Sequence, residues 1–514
     1  MEISVDVLNY VLNKVFQFKI MEGQNLESTL HMKFFWEQQM MLLQAKKMRR
    51  RNHPQIIRFS LPLHDKSPSA YRELRDSGAL ILQNERVLRD YKNYFKPKAG
   101  INQENVDCLR EKTSSFSGVQ RYVALIVDEM KIQSNLVFDT FSGELVGFVD
   151  LGDPMTNFSN LEQEDDLASH ALTFLVRGLC TDVKHVIAYI FTGNVTSFQI
   201  KPIFGKVVSV LELVLNLWVC AGALTNRTFF RLRFNLAADL KCDVLHKTRN
   251  HFAISRFIYL FAYYPHLKKT ARNCLYNSGS GSCSRYMWND GKYLLFKHIA
   301  DRFYSDQEFA LHCLPKLTMD HIVLASYSTM KVKLATQVLS RSVAVSLEES
   351  GNQEFLGTAQ FFMTMNNFFD CTNVRSLTEH VKKRNHFIKP YNSQDENYSD
   401  NARGKMFLSS QAYEGFKITI YSHVEAIQFL LGEGFIQYVL SERFMPDVVE
   451  DYFGHQRAKG GRSDNPTAQQ FDYNDLTIAA QRDIAPVTRC NTGVPYEKKK
   501  WYEVSDEPVR KRKK

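Results

Sequence analysis

The 514-residue sequence predicts an α/β protein in which helical regions precede and follow a mixed sheet. Short apolar runs separated by turns recur from Gln120 to about Cys220, as expected for the strands of one sheet. On both sides of that region, apolar residues recur at helical spacing instead. Because 44% of the residues are apolar and 23% are charged, a mainly disordered chain is excluded.

The amino-terminal region is predicted to be helical. Residues 25–47 have the apolar spacing of a helix, and a docked helix fits them better than a coiled-coil dimer. Three short helices are predicted next, at 54–63, 67–76 and 84–95. The last helix repeats Arg86, Arg89 and Lys92 on one face. This pattern fits a helix-turn-helix DNA-binding module, and it fits a helical bundle with a solvated basic face equally well.

The sheet region begins with the apolar run 122–127. Further strands are predicted at 136–138, 144–149 and 185–191, and a helix at 165–178. The stretch 207–224 contains polar residues such as Glu212, so it is predicted to be a buried helix that runs into a core strand rather than a membrane span. No membrane partner is therefore expected. The chain is predicted to be mostly helical at 226–347 and again at 405–458, after a polar linker at 389–404.

Two short runs, each with a net charge of +5, account for all of the net charge of +10. The first run contains five basic residues, Lys46, Lys47, Arg49, Arg50 and Arg51. The second is the tail 498–514, whose basic residues have the spacing of a bipartite nuclear import signal. A nearly neutral body with basic appendages suits contact with a polyanion, although two solvated surface tracts are the alternative. The nine cysteines lack CxxC spacing, so neither a zinc site nor a disulfide framework is predicted.

Two groups of carboxylates could carry chemistry. Asp128 ends a central apolar strand, where it could ligate a metal ion for phosphoryl transfer or simply form a turn. Asp447 and Glu450 are three residues apart in a predicted helix, so both project from one side and could coordinate one Mg²⁺. A solvated acidic face is the alternative for this pair. The phosphate-binding motif GxxxxGK[ST] does not occur.

Four sequence runs carry a more specific signal, at 127–153, 264–282, 315–340 and 447–471. They include VDEMKIQSN, YPHLKKTAR, PKLTMDHIV and DVVEDYFGH, and in this order they resemble P-element-like transposases, the group that includes THAP-domain-containing transposases. The resemblance implies an RNase H-like DDE core that is divided by an α-helical GTP-binding insertion and preceded by a helix-turn-helix segment. In this family, three acidic residues bind two Mg²⁺ ions for DNA cleavage and strand transfer.

The resemblance also implies roles for particular residues. Asp128 matches the first acidic ligand and Glu450 the last, with Asp447 beside it, so Asp128 and Glu450 are the expected metal ligands. The second acidic position is either occupied by Ala221, which cannot ligate a metal ion, or removed by a short deletion. A tyrosine pair stands where relatives usually have an aspartate shortly before the PHL motif.

The resemblance divides the chain into segments with these expected boundaries: a helical and basic segment (1–53), a helix-turn-helix-like DNA-binding module (54–98), the first part of the RNase H-like core (115–240), a helical GTP-binding-type insertion (241–388), a linker (389–404), the last part of the core (405–458) and a segment with the basic tail (459–514).

Together these observations favour a P-element-like transposase of the nucleus that binds transposon-end DNA. Mg²⁺ and GTP are the expected cofactors, with no GTP-contacting residue assigned, and the missing ligand predicts impaired or absent catalysis. The alternative is a domesticated, non-catalytic nuclear factor that binds DNA or protein. Whether the chain forms a homo-oligomer stays open.

Overall fold

A computed structural model describes residues 26–46, 49–92, 98–140, 142–152, 154–160, 166–193, 197–224, 244–279, 282–289, 291–373, 408–459 and 465–484. The chain divides into two compact units. The first unit comprises Met1–Lys98, Ile132–Gly147 and Gly454–Lys514, and the second comprises Ala99–Lys131 and Phe148–Phe453.

The strands, in chain order, are β1 (Gly100–Ile101), β2 (Tyr122–Lys131), β3 (Val137–Asp139), β4 (Glu144–Val146), β5 (His170–Gly178), β6 (Lys184–Thr192), β7 (Trp218–Leu224), β8 (Lys247–Asn250), β9 (Ala253–Ala262), β10 (Met287–Asn289) and β11 (Lys292–Leu294).

The helices, in chain order, are α1 (Leu26–Gln44), α2 (Pro54–Lys66), α3 (Pro68–Asp76), α4 (Glu85–Lys92), α5 (Gln103–Thr113), α6 (Pro154–Asn160), α7 (Ser197–Ser209), α8 (Tyr264–Tyr276), α9 (Lys297–Gln307), α10 (Met319–Ile322), α11 (Ser326–Met330), α12 (Val332–Val338), α13 (Arg341–Glu349), α14 (Leu356–Thr372), α15 (Ser410–Gly432), α16 (Asp447–Lys459) and α17 (Ala468–Ile484). Among the described residues, no helix combines the length and the apolar character that crossing a bilayer requires.

The second unit is built on a seven-stranded mixed sheet with the order β1-β6-β5-β2-β7-β9-β8. Strand β2 runs parallel to β7 and antiparallel to β5, so it joins the parallel and antiparallel parts of the sheet. Val123, Leu125 and Val127 of β2 face an apolar core that includes Phe204 and Val207 of α7. The predicted α/β fold with a mixed sheet is therefore confirmed.

The structure corrects three predictions about this sheet. Strands β3 and β4, which are expected to belong to it, pair with each other in a separate two-stranded sheet. The other two corrections concern β5 and the strands β8 and β9. Residues 170–178, inside the predicted helix 165–178, form strand β5, which pairs with β2 along its whole length. The mostly helical region predicted from 226 contains strands β8 and β9, which extend the sheet. These last two errors have one cause: β5 and the second half of β9 are buried on both faces, so their apolar runs lack the alternation that marks a half-exposed strand. The predicted helix that runs into a core strand is confirmed, because α7 leads through the π-helical turn Val210–Val214 into β7.

A helical subdomain follows β9 within the second unit. Helices α8, α9 and α12 to α15 bury one apolar cluster, which includes Ala271, Phe303, Leu347, Phe362 and Phe416. Helix α15 also packs against β9, so the cluster is attached directly to the sheet. The predicted linker 389–404 lies outside the described residues.

In the first unit, three helices lie where the sequence predicts them. The Ser67 hydroxyl caps α3 by accepting a hydrogen bond from the Ala70 amide at 3.2 Å. The Asn84 side chain caps α4 by accepting one from the Arg86 amide at 3.0 Å. Helix α1 docks on this module, since the Gln39 side-chain oxygen accepts a 2.7 Å hydrogen bond from the backbone amide of Ile81.

Candidate active site

Asp128 lies on the central strand of the second unit, directly opposite Thr173 of β5. Side chains alternate along a strand, so Asp128 points away from the apolar core that Val127 faces. Its side chain is buried, with the residue only 6% exposed. Burial, followed by the nearby negative charge of Glu450, raises the pKa of Asp128 to about 7. A carboxylate with this shift, held rigidly by a sheet, has the properties of a functional-site residue.

Glu450 reaches the same place from the first turn of α16. The helix begins at Asp447, and the apolar side chains of Val448 and Val449 are buried beneath it, which leaves Glu450 exposed. The negative charge of Glu450 contributes to the raised pKa of Asp128, and both carboxylates act on Tyr263, so they belong to one site. Asp447 is half-buried, and its charge acts on Tyr263 and Arg177. The structure therefore brings together the two expected metal ligands, with Asp447 nearby.

Tyr263 and His266 complete the site, although the sequence patterns do not single them out as site residues. Tyr263 follows β9 directly, and its hydroxyl donates a 2.7 Å hydrogen bond to Oε1 of Glu450. Burial, followed by the charges of Asp128 and Glu450, raises the pKa of Tyr263 above its usual range, so its phenol stays protonated. The ring of His266 lies 4.3 Å from that of Tyr263, centroid to centroid.

The His266 side chain is neutral at physiological pH. Burial, followed by the positive charge of Lys269, lowers the pKa of His266 to about 4. His266 and Tyr263 also line a cavity of about 150 Å³ together with Thr270, Ser409 and Gln411. The one sequence signal for these residues is their position at a strand-to-helix junction beside the PHL motif.

Ala221 occupies a different level of the sheet from Asp128. In the parallel register of β2 and β7, Ala221 lies opposite Ala124, and Leu224 lies opposite Val127. Ala221 shares a face of the sheet with Asp128, because Ala124 and Asp128 are an even number of residues apart. Strand β7 ends at Leu224, one residue before the level of Asp128.

The donor set fits one Mg²⁺ ion. Mg²⁺ is commonly held by one or two carboxylates together with substrate phosphates and water, and Asp128 and Glu450 provide two carboxylates that repel each other without a cation. Within the described part of the chain, no group of three or more His, Cys, Asp or Glu side chains is placed to hold a metal ion.

The basic residues predicted to contact DNA belong to the first unit. On α4, Arg86 and Arg89 are exposed, while the side chain of Lys92 lies outside the described residues. In the basic run after α1, three side chains are exposed, those of Lys46, Arg49 and Arg51. Arg50 is half-buried and donates from Nε to the carbonyl of Ala45 at 3.3 Å. Lys47 and the tail 498–514 lie outside the described residues.

Two family models match this chain. Residues 97–232 match the TNP-like RNase H N-terminal domain. Residues 265–385 match the TNP-like GTP-binding insertion domain. The first match contains Asp128 and β7, and the second begins just after Tyr263, in the first turn of α8.

Two curated relatives are transposases. The chain is 25% identical over 467 residues to the transposable element P transposase of Drosophila melanogaster, which covers 88% of this chain and 57% of the relative. It is 22% identical over 484 residues to the DNA transposase THAP9 of Homo sapiens, which covers 84% of this chain and 51% of that relative. The chain therefore spans little more than half the length of these relatives.

A solved structure supports the fold. The Drosophila P element transposase strand transfer complex matches with a TM-score of 0.69 and 22% sequence identity, covering 90% of this chain and 99% of the matched chain. At this level of identity the match establishes the architecture alone.

Proposed function

This chain belongs to the P-element-like DNA transposases with an RNase H-like core, and from that premise we propose that it is a DNA-binding transposase of the nucleus with impaired catalysis. The observation that carries the proposal is the meeting of Asp128 and Glu450 at one site without a third described acidic ligand. The two carboxylates support metal binding, and the lack of a third supports impaired catalysis.

Asp128 and Glu450 are proposed to hold Mg²⁺ beside the central strand β2, which continues for three residues beyond Asp128. Bound there, the ion supplies charge neutralisation for an in-line attack on a DNA phosphodiester. Asp128 is fixed by the sheet, so it sets the position of the site, whereas exposed Glu450 can close on it from α16. The Mg²⁺-dependent cleavage and strand transfer of the family would use this geometry.

Impaired catalysis is proposed because the site has two carboxylates where the chemistry uses three. The resemblance places the second ligand at Ala221, but in the register of β7 Ala221 lies opposite Ala124, four residues before the level of Asp128. The third carboxylate is therefore missing among the described residues whatever side chain stands at position 221. GTP is proposed as a second ligand, on the strength of the match of residues 265–385 to a GTP-binding insertion domain. Exposed Arg86 and Arg89 on α4 support a helix-turn-helix role in DNA binding for the first unit.

A cleavage assay tests this function. The purified full chain is incubated with Mg²⁺, GTP and duplex DNA that carries transposon ends, beside an active P-element-like transposase as a positive control. We expect DNA binding but no specific cleavage above that of an Asp128→Ala chain. Robust nicking by the unmodified chain that the Asp128→Ala substitution abolishes would show that catalysis is intact.

The second candidate is a domesticated nuclear factor that binds DNA or protein without cutting. The lack of a third acidic ligand among the described residues favours it over a fully active enzyme. A gel-shift assay in EDTA separates the two: the non-catalytic factor binds equally well with and without Mg²⁺, whereas a transposase that assembles on DNA through its metal site binds less well in EDTA.

A further inference from the structure

One contact at the candidate site opposes the binding of a cation. The Tyr263 hydroxyl donates to Oε1 of Glu450 at 2.7 Å, an oxygen that a metal ion bridging Asp128 and Glu450 would compete for. We propose that Tyr263 is a positioning residue that engages Glu450 in the metal-free chain and weakens its affinity for divalent cations. This inference rests on the proposed function, since it concerns the same two carboxylates.

Tyr263 is held firmly in place. It is 5% exposed, its carbonyl accepts a 3.1 Å hydrogen bond from the Leu267 amide of α8, and its ring packs against His266. A buried ring that is anchored on both its backbone and its face cannot rotate away without disturbing the start of α8. The partner that must move is therefore Glu450, which is exposed.

The Tyr263 hydroxyl and a cation would compete for the same carboxylate oxygen of Glu450. An ionised carboxylate only accepts hydrogen bonds, and a charge-assisted bond to one of its oxygens is stronger than a bond between neutral groups. A cation that approached the lone pair of Oε1 used by this hydrogen bond would have to displace the Tyr263 hydroxyl, so the bond opposes cation binding at that oxygen. The negative charge of Asp128 also contributes to the raised pKa of Tyr263, after burial.

If Tyr263 instead orients Glu450 for the metal ion, removing its hydroxyl is expected to weaken metal binding. Hydrogen bonds to metal-ligating carboxylates often orient them for the metal, and removing such a bond weakens metal binding. Competition and support therefore differ in the sign of the change when the hydroxyl is removed. The sign can be measured without any assay of DNA cleavage.

The experiment compares Mn²⁺ binding by the full-length chain and by Tyr263→Phe, using isothermal titration calorimetry and the electron paramagnetic resonance signal of free Mn²⁺. We expect Tyr263→Phe to lower the dissociation constant by about tenfold, the effect of removing one hydrogen bond to a charged group. Tyr264→Phe is the matched control, because the Tyr264 hydroxyl donates to the Thr372 carbonyl at 2.9 Å instead. It is expected to leave the dissociation constant unchanged.

Two outcomes would overturn the inference. If wild type binds Mn²⁺, Asp128→Asn loses that binding, and Tyr263→Phe binds with equal or lower affinity than wild type, then Tyr263 does not compete and the proposed function stands. If neither wild type nor Tyr263→Phe binds Mn²⁺ while both show the same circular dichroism and thermal unfolding, the metal site itself is refuted along with the inference. The phenylalanine keeps the buried ring, so both chains are expected to fold.

Discussion

Lys268 is a buried charge whose cost depends on pH. It lies on α8 with its residue 2% exposed, and its ammonium nitrogen is 4.3 Å from the centroid of the Phe369 ring. Burial lowers the pKa of Lys268 from 10.5 to about 8, although the charge of Asp370 opposes the shift. The folded pKa is below the unfolded one, so the unfolded chain binds more protons between these values. The contribution of Lys268 to stability therefore rises with pH between about 8 and 10.5 and is least favourable below 8.

We expect Lys268→Met to stabilise the second unit at pH 7, because a thioether of similar length avoids the burial of a charge. The expected gain is about 1–3 kcal/mol in the free energy of unfolding, and it should shrink at pH 9.5. Urea denaturation at both pH values measures it. Lys333→Met, at an exposed position, should change little. A gain of equal size at both pH values would mean that packing rather than charge is responsible.

Some residues of the site could be predicted from the sequence, and others could not. Asp128 could be identified from its place at the end of an apolar run, and Glu450 from the family motif around it. Tyr263 could not be assigned a role, because a tyrosine gains its significance from a partner that is 187 residues away in the chain. Long-range contacts of this kind leave no local pattern.

The register of β7 determines whether a carboxylate at position 221 could reach the level of Asp128. Its start is fixed by Glu212, whose side chain accepts hydrogen bonds from the Val219 amide at 2.8 Å and from the Asn250 side chain at 2.6 Å. The same carboxylate pairs with Arg256. This network holds β7 in the register that places Ala221 beside Ala124, so Ala221 is roughly 13 Å before the level of Asp128 along the strand, at about 3.3 Å per residue.

We expect Ala221→Asp to destabilise the second unit without restoring cleavage. Ala221 is 1% exposed, so the new carboxylate would be buried without a cation, at a cost of about 3 kcal/mol or more. Ala221→Asn has nearly the same volume without the charge and should cost less. Urea denaturation and the Mg²⁺ cleavage assay measure the two effects. Cleavage gained by the aspartate variant would mean that β7 shifts its register to bring position 221 to Asp128.

Elements were predictable where a local signal defines them. The caps at Ser67 and Asn84 fixed the starts of α3 and α4, and the turn between β3 and β4 could be read from FSGE. Strand β5 could not be distinguished from a helix by its sequence. Nearly all of HALTFLVRG is buried, so neither face of the strand requires polar residues and no alternation appears. Pairing with β2 decides its conformation, and pairing partners are not encoded in the run itself.

At the scale of the whole molecule, the concentration of positive charge in short runs predicts salt-dependent DNA binding. We expect replacement of both Arg86 and Arg89 by Ala to reduce the slope of log affinity against log salt by about two, one for each lost phosphate contact. Gel-shift titrations between low and moderate salt provide the slopes.

A matched control removes the same charge elsewhere. The pair Lys316 and Lys333 is exposed in the helical subdomain, and replacing both by Ala should leave the slope almost unchanged. Neutralising the run from Lys46 to Arg51 is expected to reduce the slope further. Binding that survives all of these changes with its slope intact would remove the first unit as the DNA-binding surface.

Helix α17 is synthesised long after the helices that it packs against. It packs against α2, α4 and β3, and Asp139 of β3 accepts hydrogen bonds from Gln469 at 3.1 Å and Tyr473 at 3.0 Å. The ribosome thus makes the amino-terminal helices several hundred residues before the helix that braces them, an interval on the order of tens of seconds at about 5–20 residues per second. Throughout that interval the nascent helices present an uncovered face to chaperones, and a transcript that terminates early yields a module that never receives its brace.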